Sequence, residues 1–293
     1  MIVCTDMARD KYSAVWVSHT SISDFLTCPR AYYLKHVYRD PNTKHKIKMI
    51  SPPLALGQAV HEVVESLSVL PTPDRFKESL IIKFEKSWQK VAGKLGGFPS
   101  IDVEKTYKKR GEDMLLRVMK HPGVLKNQAV KIKQELPYYW ISEEKNIILC
   151  GKIDWLEYLP LTDSVHIIDF KTSKGDEKSD SLQLPIYNLL VHNCQKRKVS
   201  GASYWYLEKD DELTPKILPD LEESFQKVLD VATQMKIARQ LKIFKCPHNG
   251  CYACRQMETI LRGDAEFVGL DEYKYDVYMI KTNITDEQES IVL

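Results

Sequence analysis

The chain has 293 residues, of which 43% are hydrophobic and 28% charged, and its formal net charge is +2 at pH 7. These values are typical of a folded domain and exclude a disordered or fibrous chain, and the near-neutral charge excludes bulk electrostatic attraction as a sign of a nucleic-acid partner. No apolar run approaches the roughly 20 residues of a membrane span, and the first residues lack the basic-then-apolar order of a secretory signal, so we expect a cytoplasmic protein without membrane contact.

The front portion of the chain, residues 18–125, is predicted to be mainly helical. A short capped helix is expected after Ser21 and another at Pro29. Three longer stretches with helical periodicity follow at residues 54–70, 73–91 and 101–120. Because no linker composition separates these helices from the residues that follow, we expect them to be an insert in front of one core.

The pattern then changes to strands and helices in alternation, which predicts an α/β core over residues 126–245. The expected elements are strands at 130–141, 147–158 and 165–171 in an antiparallel meander, a helix at 180–193, strands at 202–208 and 213–218, and a helix at 221–241. A further strand is expected near residues 275–280, within an extension that begins at residue 246. We therefore expect one domain over residues 1–293.

An acid and an amine occupy alternate positions of the predicted strand at residues 165–171. Because side chains alternate between the faces of a strand, Asp169 and Lys171 point to the same face. Asp154 lies near the middle of the preceding apolar strand, where a charge is costly unless it meets a partner or a metal. Neighbouring strands would bring the two aspartates together as a hard oxygen site for Mg²⁺ or Mn²⁺, suited to phosphodiester hydrolysis.

Lys171 would position or deprotonate the attacking water, or stabilise the transition state, and only the role of base requires a lowered pKa. The alternative is an ordinary ion pair at a strand edge, which a D-x-K motif alone would favour because short motifs match by chance.

Four further side chains accompany the D-x-K strand in the sequence. His61 lies one helical turn after Gly57, whose missing side chain leaves room for close approach, so its imidazole is a candidate metal ligand. Gln183 and Tyr187 share a helix face and would contact the DNA backbone or orient the site. Glu135 is a third acid predicted on a strand, with a solvent-facing role as the alternative.

A basic stretch from Arg30 to Lys48 interleaves cations with three tyrosines. Cations beside stackable rings suit a phosphate backbone and unstacked bases, which makes Arg30 a candidate DNA contact. A solvated helix face with tyrosines packed beneath it is the alternative.

These motifs, in this order, resemble the RecB-like branch of the PD-(D/E)XK nucleases over residues 21–254. The segments are G-x-x-x-H at 57–61, an acid before Pro at Glu135, G-K-I-D at 151–154, I-I-D-F-K-T at 167–172 and Q-x-x-x-Y at 183–187. The resemblance implies a restriction-endonuclease-like core with a central mixed sheet flanked by helices. It also implies metal ligation by His61, Asp154, Asp169 and the Phe170 carbonyl, with Lys171 as the catalytic lysine.

Cysteines extend the resemblance. The opening S-x-S followed by C-P-R at Cys28 is similar to family members that carry an iron-sulfur cluster, such as AddB and the CRISPR adaptation exonucleases. With Cys246, Cys251 and Cys254 in a C-x4-C-x2-C spacing, it implies a [4Fe-4S] cluster that joins the two ends of the core. The order differs from those relatives, in which a close pair precedes the wider gap. Zn²⁺ on the same thiolates, or with His248 replacing one, and metal-free packing cysteines are the alternatives.

The expected function is therefore a metal-dependent DNA nuclease that acts on single strands or free ends. The chain contains no G-x-x-x-x-G-K-[ST] loop, so any helicase activity would belong to a partner, as would the other parts of a CRISPR adaptation complex. The rival hypothesis is a non-catalytic DNA-end-binding subunit of a repair, recombination or CRISPR adaptation complex.

Overall fold

Helices dominate the first third of the chain, and strands and helices alternate afterwards. The structure is a computed structural model that describes residues 10–281. Its strands are β1 (Val15–Val17), β2 (Ile47–Met49), β3 (Tyr138–Ser142), β4 (Ile147–Cys150), β5 (Trp155–Leu159), β6 (Ser164–Lys171), β7 (Lys198–Tyr206), β8 (Thr214–Lys216), β9 (Ala265–Leu270) and β10 (Asp276–Ile280).

The helices of the described residues are α1 (His19–Thr27), α2 (Pro29–Tyr32), α3 (Pro52–Ser66), α4 (Leu80–Trp88), α5 (Ile101–Lys120), α6 (Gln183–Cys194), α7 (Leu221–Leu241) and α8 (Tyr252–Leu261). A π-helical turn covers Tyr33–Val37, and 3₁₀ turns cover Leu67–Val69, Thr72–Asp74, Gly93–Gly96 and Gly123–Lys126. Within residues 10–281, no helix has both the length and the hydropathy that crossing a membrane requires.

The central sheet has the strand order β5-β6-β7-β8. β6 and β7 are parallel, whereas β5 and β8 join the sheet in antiparallel pairs, so the sheet is mixed. β6 is apolar on both faces: Val165 and Ile167 point to one side, and Ile168 and Phe170 to the other. A strand of this kind requires cover on both faces, and the chain provides it.

The front helices α3, α4 and α5 pack on the face of the sheet that carries Trp155, Phe170 and Trp205. The opposite face is covered by α6 and α7, whose apolar residues share a core with a second sheet, β1-β4-β3. The predicted mixed α/β architecture with a helical front portion is confirmed.

The predicted meander of three strands is wrong in two places. The strand predicted at residues 147–158 is divided into β4 and β5, which belong to different sheets, and residues 151–154 between them are irregular. Residues 131–137 are also irregular, so the strand that ends at Ser142 begins only at Tyr138. A continuous apolar pattern conceals this break because residues on both sides of it are buried, each in its own sheet.

The C-terminal part of the described chain forms a third sheet, β2-β10-β9, beside α8. β10 coincides with the strand expected near residues 275–280 and pairs in parallel with β2, from the front portion. β9 completes an antiparallel hairpin with β10. This hairpin is therefore anchored to residues far away in sequence.

Candidate functional site

Helix α3 presents two side chains with metal-binding atoms, His61 and Glu65, one turn apart on the same face. Their side chains touch, with 3.2 Å between His61 Nδ1 and Glu65 Oε1. Gly57 stands one turn earlier, where a Cβ would come within 3.3 Å of Thr172 Oγ1. The missing side chain thus lets α3 approach the end of β6, as the sequence predicted.

Asp154 lies in the irregular segment between β4 and β5, directly before the first residue of β5. Trp155 pairs with Ile168, so Asp154 comes next to the end of the ladder, opposite Asp169. Its Oδ2 atom accepts a 2.9 Å hydrogen bond from the Phe170 N–H and lies 3.5 Å from His61 Nδ1. At this break in the strand, the Asp154 carboxylate accepts the Phe170 hydrogen bond that a backbone carbonyl would accept in a continuous ladder.

Asp169 and Lys171 emerge from the same face of β6, as alternation along the strand predicted. Lys171 Nζ lies 2.9 Å from Asp169 Oδ2 and 2.8 Å from Glu177 Oε2, and it also donates to Gln183 Oε1. Gln183 Nε2 in turn donates to Asp169 Oδ1 at 2.8 Å and to the Tyr187 hydroxyl at 3.3 Å. Gln183 and Tyr187 are buried, so in this structure they hold the site together.

Burial makes it unfavourable for the two aspartates of this site to ionise. Burial, reinforced by Asp169, raises the pKa of Asp154 to about 8. Burial also raises the pKa of Asp169, although Lys171 opposes the shift. Burial alone would lower the pKa of His61, but Asp154 and Glu65 outweigh it and raise that pKa to about 9. Near neutral pH, Asp154 and His61 therefore hold protons, which a metal cation would replace.

A metal ion matches this donor set. His61, Glu65 and Asp154 each offer one ligand atom, and these atoms lie within 4.8 Å of one another. Asp169 lines the same pocket, as does Phe170. Since the N–H and C=O of a strand residue point to the same side, the Phe170 carbonyl faces Asp154 together with its N–H. Carboxylate, imidazole and carbonyl donors around a buried excess of acid suit a hard divalent cation.

Glu65 was missed in the sequence. Its spacing of four residues from His61 was the available signal, because residues at i and i+4 share a helix face. This signal was overlooked because the apolar stripe of α3 dominates its pattern, and an acid outside that stripe is usually a solvent-exposed residue.

Residues 16–258 match the PD-(D/E)XK nuclease superfamily, which is most of the chain. The chain belongs to this superfamily. No individual curated protein matches the sequence. The matched span contains α3 and β6 and ends within α8, so the β9–β10 hairpin lies outside it. Membership agrees with the resemblance at the level of the superfamily, and the RecB-like branch stays a prediction.

Two site residues predicted for this PD-(D/E)XK protein lie outside the carboxylate pocket, defined as His61, Asp154, Asp169 and Lys171 with Glu65 beside them. Glu135 is exposed in the irregular segment before β3 and not on a strand, although it lines a small cavity with Glu65 and Asp154. Arg30 on α2 pairs with Glu258 of α8 at 3.3 Å and stacks on the Tyr33 ring. Their predicted roles in catalysis and DNA binding stay predictions.

A second group of metal-binding atoms lies where the two ends of the superfamily match meet. Cys28 caps α2, Cys246 follows α7, and Cys251 and Cys254 begin α8. All four sulfurs lie within 4.8 Å of one another, with no disulfide among them, and the group does not include the His248 ring. The convergence expected of Cys28 with the three late cysteines is therefore confirmed.

Backbone donors prepare one of these cysteines for a metal. The N–H groups of His248 and Gly250 donate to Cys246 Sγ at 3.4 and 3.3 Å. Burial would raise the pKa of this thiol, but these two donors, together with the Cys251 backbone and the Cys254 side chain, lower it to about 6. Burial raises the pKa of Cys254 to about 12, so that thiol ionises only when a cation is bound.

The spacing of the sulfurs bears on which metal centre they could hold. Cys251 Sγ and Cys254 Sγ are 3.8 Å apart, close to the edge of about 3.8 Å in a tetrahedron with bonds of about 2.3 Å, as around Zn²⁺. The thiolates of a [4Fe-4S] cluster bind different irons and stand further apart. The donors suit either centre, and a cluster requires the sulfurs to separate.

Proposed function

We propose that the protein is a Mg²⁺- or Mn²⁺-dependent deoxyribonuclease that hydrolyses phosphodiester bonds in single-stranded DNA or at DNA ends. One observation carries this proposal: His61 and Asp154 share a pocket with Asp169 and Lys171, and Glu65 brings a third ligand atom within 4.8 Å of theirs. In a member of a nuclease superfamily, we expect such a pocket to be the active site for phosphodiester hydrolysis.

The chain's own residues have distinct tasks in this reaction. Burial alone would lower the pKa of Lys171, but Asp169 and Glu177 outweigh it and raise that pKa, so the side chain is an ammonium. An ammonium stabilises the negative charge that develops on the phosphate and is poorly suited to be the base. Gln183 holds Lys171 and Asp169 in register, and the Phe170 N–H orients Asp154.

Bound Mg²⁺ or Mn²⁺ would supply an activated water and charge neutralisation at this donor set. In the net reaction a water oxygen forms a bond to phosphorus, the ester P–O bond breaks, and the leaving oxygen takes up a proton.

For the cysteine centre we retain the [4Fe-4S] cluster that the resemblance implies, with Zn²⁺ as the competitor that the sulfur spacing supports. Anaerobically purified protein is expected to be brown if the cluster is present. A colourless preparation with one zinc per chain would assign the site to Zn²⁺.

The direct test of the nuclease proposal compares wild type with Asp169→Ala on end-labelled single-stranded DNA, with and without magnesium. Wild type should degrade the DNA only with the metal, and Asp169→Ala should leave it intact while retaining it on a gel. If neither protein degrades the DNA but both retain it, the non-catalytic DNA-end-binding hypothesis is correct.

A further inference from the structure

A groove of about 740 Å³ opens beside the carboxylate pocket, between α3 and the β9–β10 hairpin. His61 lines both the groove and the pocket, and Glu65 lines the groove as well. A ligand bound in the groove could therefore extend to the metal-binding atoms of His61 and Glu65.

The walls of the groove expose large apolar and aromatic side chains. Tyr273 is 71% exposed, Leu270 55% and Leu95 47%, and the more buried Val91 and Val277 complete the apolar part. Flat aromatic and apolar surfaces bind the faces of unpaired bases, and stacking on an aromatic ring tolerates any base.

The hairpin turn holds Tyr273 in place. The Asp271 carboxylate accepts hydrogen bonds from the N–H groups of Tyr273, at 3.0 Å, and Tyr275, at 2.9 Å. β10 is fixed in turn by its parallel pairing with β2. The ring is thus presented to the groove by an organised turn.

The charges that line the groove nearly cancel. Lys48 pairs with Asp271 at 3.3 Å, Lys152 with Glu65 at 2.5 Å, and Lys90 with Glu62. Because these carboxylates and Glu272 compensate the three lysines, the groove offers little net attraction for the rigid array of phosphates of a duplex. Its apolar walls would gain most from bases that are not already paired.

We propose that this groove guides a single DNA strand into the carboxylate pocket, with a base stacked on Tyr273. The proposal rests on the proposed nuclease function and adds to it a base-binding surface on a hairpin outside the superfamily match. Binding in this groove selects unpaired strands before the reaction.

The test measures binding of a labelled single-stranded oligonucleotide by fluorescence anisotropy, in the Asp169→Ala background so that the DNA is not degraded. Tyr273→Ala is expected to weaken binding about 5- to 100-fold, the range for loss of one stacked base. Tyr273→Phe should bind as tightly as the parent, and Tyr12→Ala, at a tyrosine that is 89% exposed, is the control. The logarithm of the affinity should fall with that of the salt concentration with a slope no steeper than about −2, as expected for three phosphate contacts or fewer.

Two outcomes overturn the proposal: Tyr273→Ala binds the strand as tightly as Tyr12→Ala does, or a blunt duplex binds equally well and with the same loss on Tyr273→Ala. A small chromogenic phosphodiester without bases separates this result from the nuclease proposal. Protein with Asp169 intact should hydrolyse it, and Asp169→Ala should not. If protein with Asp169 intact does not hydrolyse it, the nuclease proposal fails while the binding comparison remains valid.

Discussion

The two metal-binding groups of this protein differ in how their charges are balanced when no metal is bound. Each acid of the carboxylate pocket has a cationic partner: Glu65 has Lys152, Asp154 has His61, and Asp169 has Lys171. The four sulfurs lie within 4.8 Å of one another, and Cys246 Sγ accepts hydrogen bonds from two backbone N–H groups. We therefore expect the carboxylate pocket to keep its shape without metal, and the thiolate centre to need a bound metal for its stability.

The largest expected effect is on stability, at the thiolate centre. Cys254→Ser should remove a metal worth several kcal/mol or more and lower the Tm by about 10 °C or more. Differential scanning calorimetry and metal analysis measure both effects, with Cys194→Ser as the control outside the cluster. An unchanged Tm in protein that has lost its metal would show that the thiolate centre is as self-sufficient as the carboxylate pocket.

In the carboxylate pocket, the expected effect is on rate. Lys171→Ala removes an ammonium placed to stabilise developing charge, so kcat should fall about 10²- to 10³-fold. DNA affinity should change little, and Lys174→Ala is the matched control in the following loop. Loss of binding in proportion to kcat would instead make Lys171 a phosphate anchor.

Metal binding to the carboxylate pocket should depend on pH. The pKa of Asp154 is raised to about 8 and that of His61 to about 9, so below about pH 8 both groups hold a proton that a metal must displace. Both shifts are upward, so Mn²⁺ affinity should rise with pH, up to about a hundredfold per unit below about pH 8 and about tenfold per unit from there to about pH 9, and level off above about pH 9. Titration of Mn²⁺ followed by electron paramagnetic resonance measures it.

Two histidine variants complete the pH experiment. His61→Gln should flatten the dependence, whereas His36→Gln, at a histidine paired with Asp24, should leave it unchanged. A flat profile in the wild type would mean that the pocket binds metal without losing a proton.

The smallest effect concerns Glu65. Glu65→Gln should weaken metal binding about 10-fold, which is the lower end of the range for residues that orient or complete a metal site. The substitution also leaves Lys152 without the carboxylate it pairs with. Glu62→Gln, one turn earlier in a surface pair with Lys90, is the matched control. Equal metal affinity in both variants would remove Glu65 from the set of ligands.

The sequence predicted the parts of the site that depend on local periodicity. Alternation along β6 was sufficient to place Asp169 and Lys171 on one face, and helical spacing placed Gln183 with Tyr187. The pairing of Asp154 with Asp169 was expected, but not the break before β5, because a buried pattern does not show which sheet a strand joins. β1 and β2 have three residues each, too few for a pattern, and their partners lie far away in sequence.

The separation of Cys28 from the three late cysteines along the chain has a consequence for proteolysis. A metal held by all four sulfurs acts as a cross-link that encloses nearly the whole catalytic core in a ring of polypeptide. The two fragments of a protein nicked in the exposed loop before α6 would therefore stay linked for as long as the metal is bound. The same nicked protein would come apart in denaturant once a chelator had opened the ring.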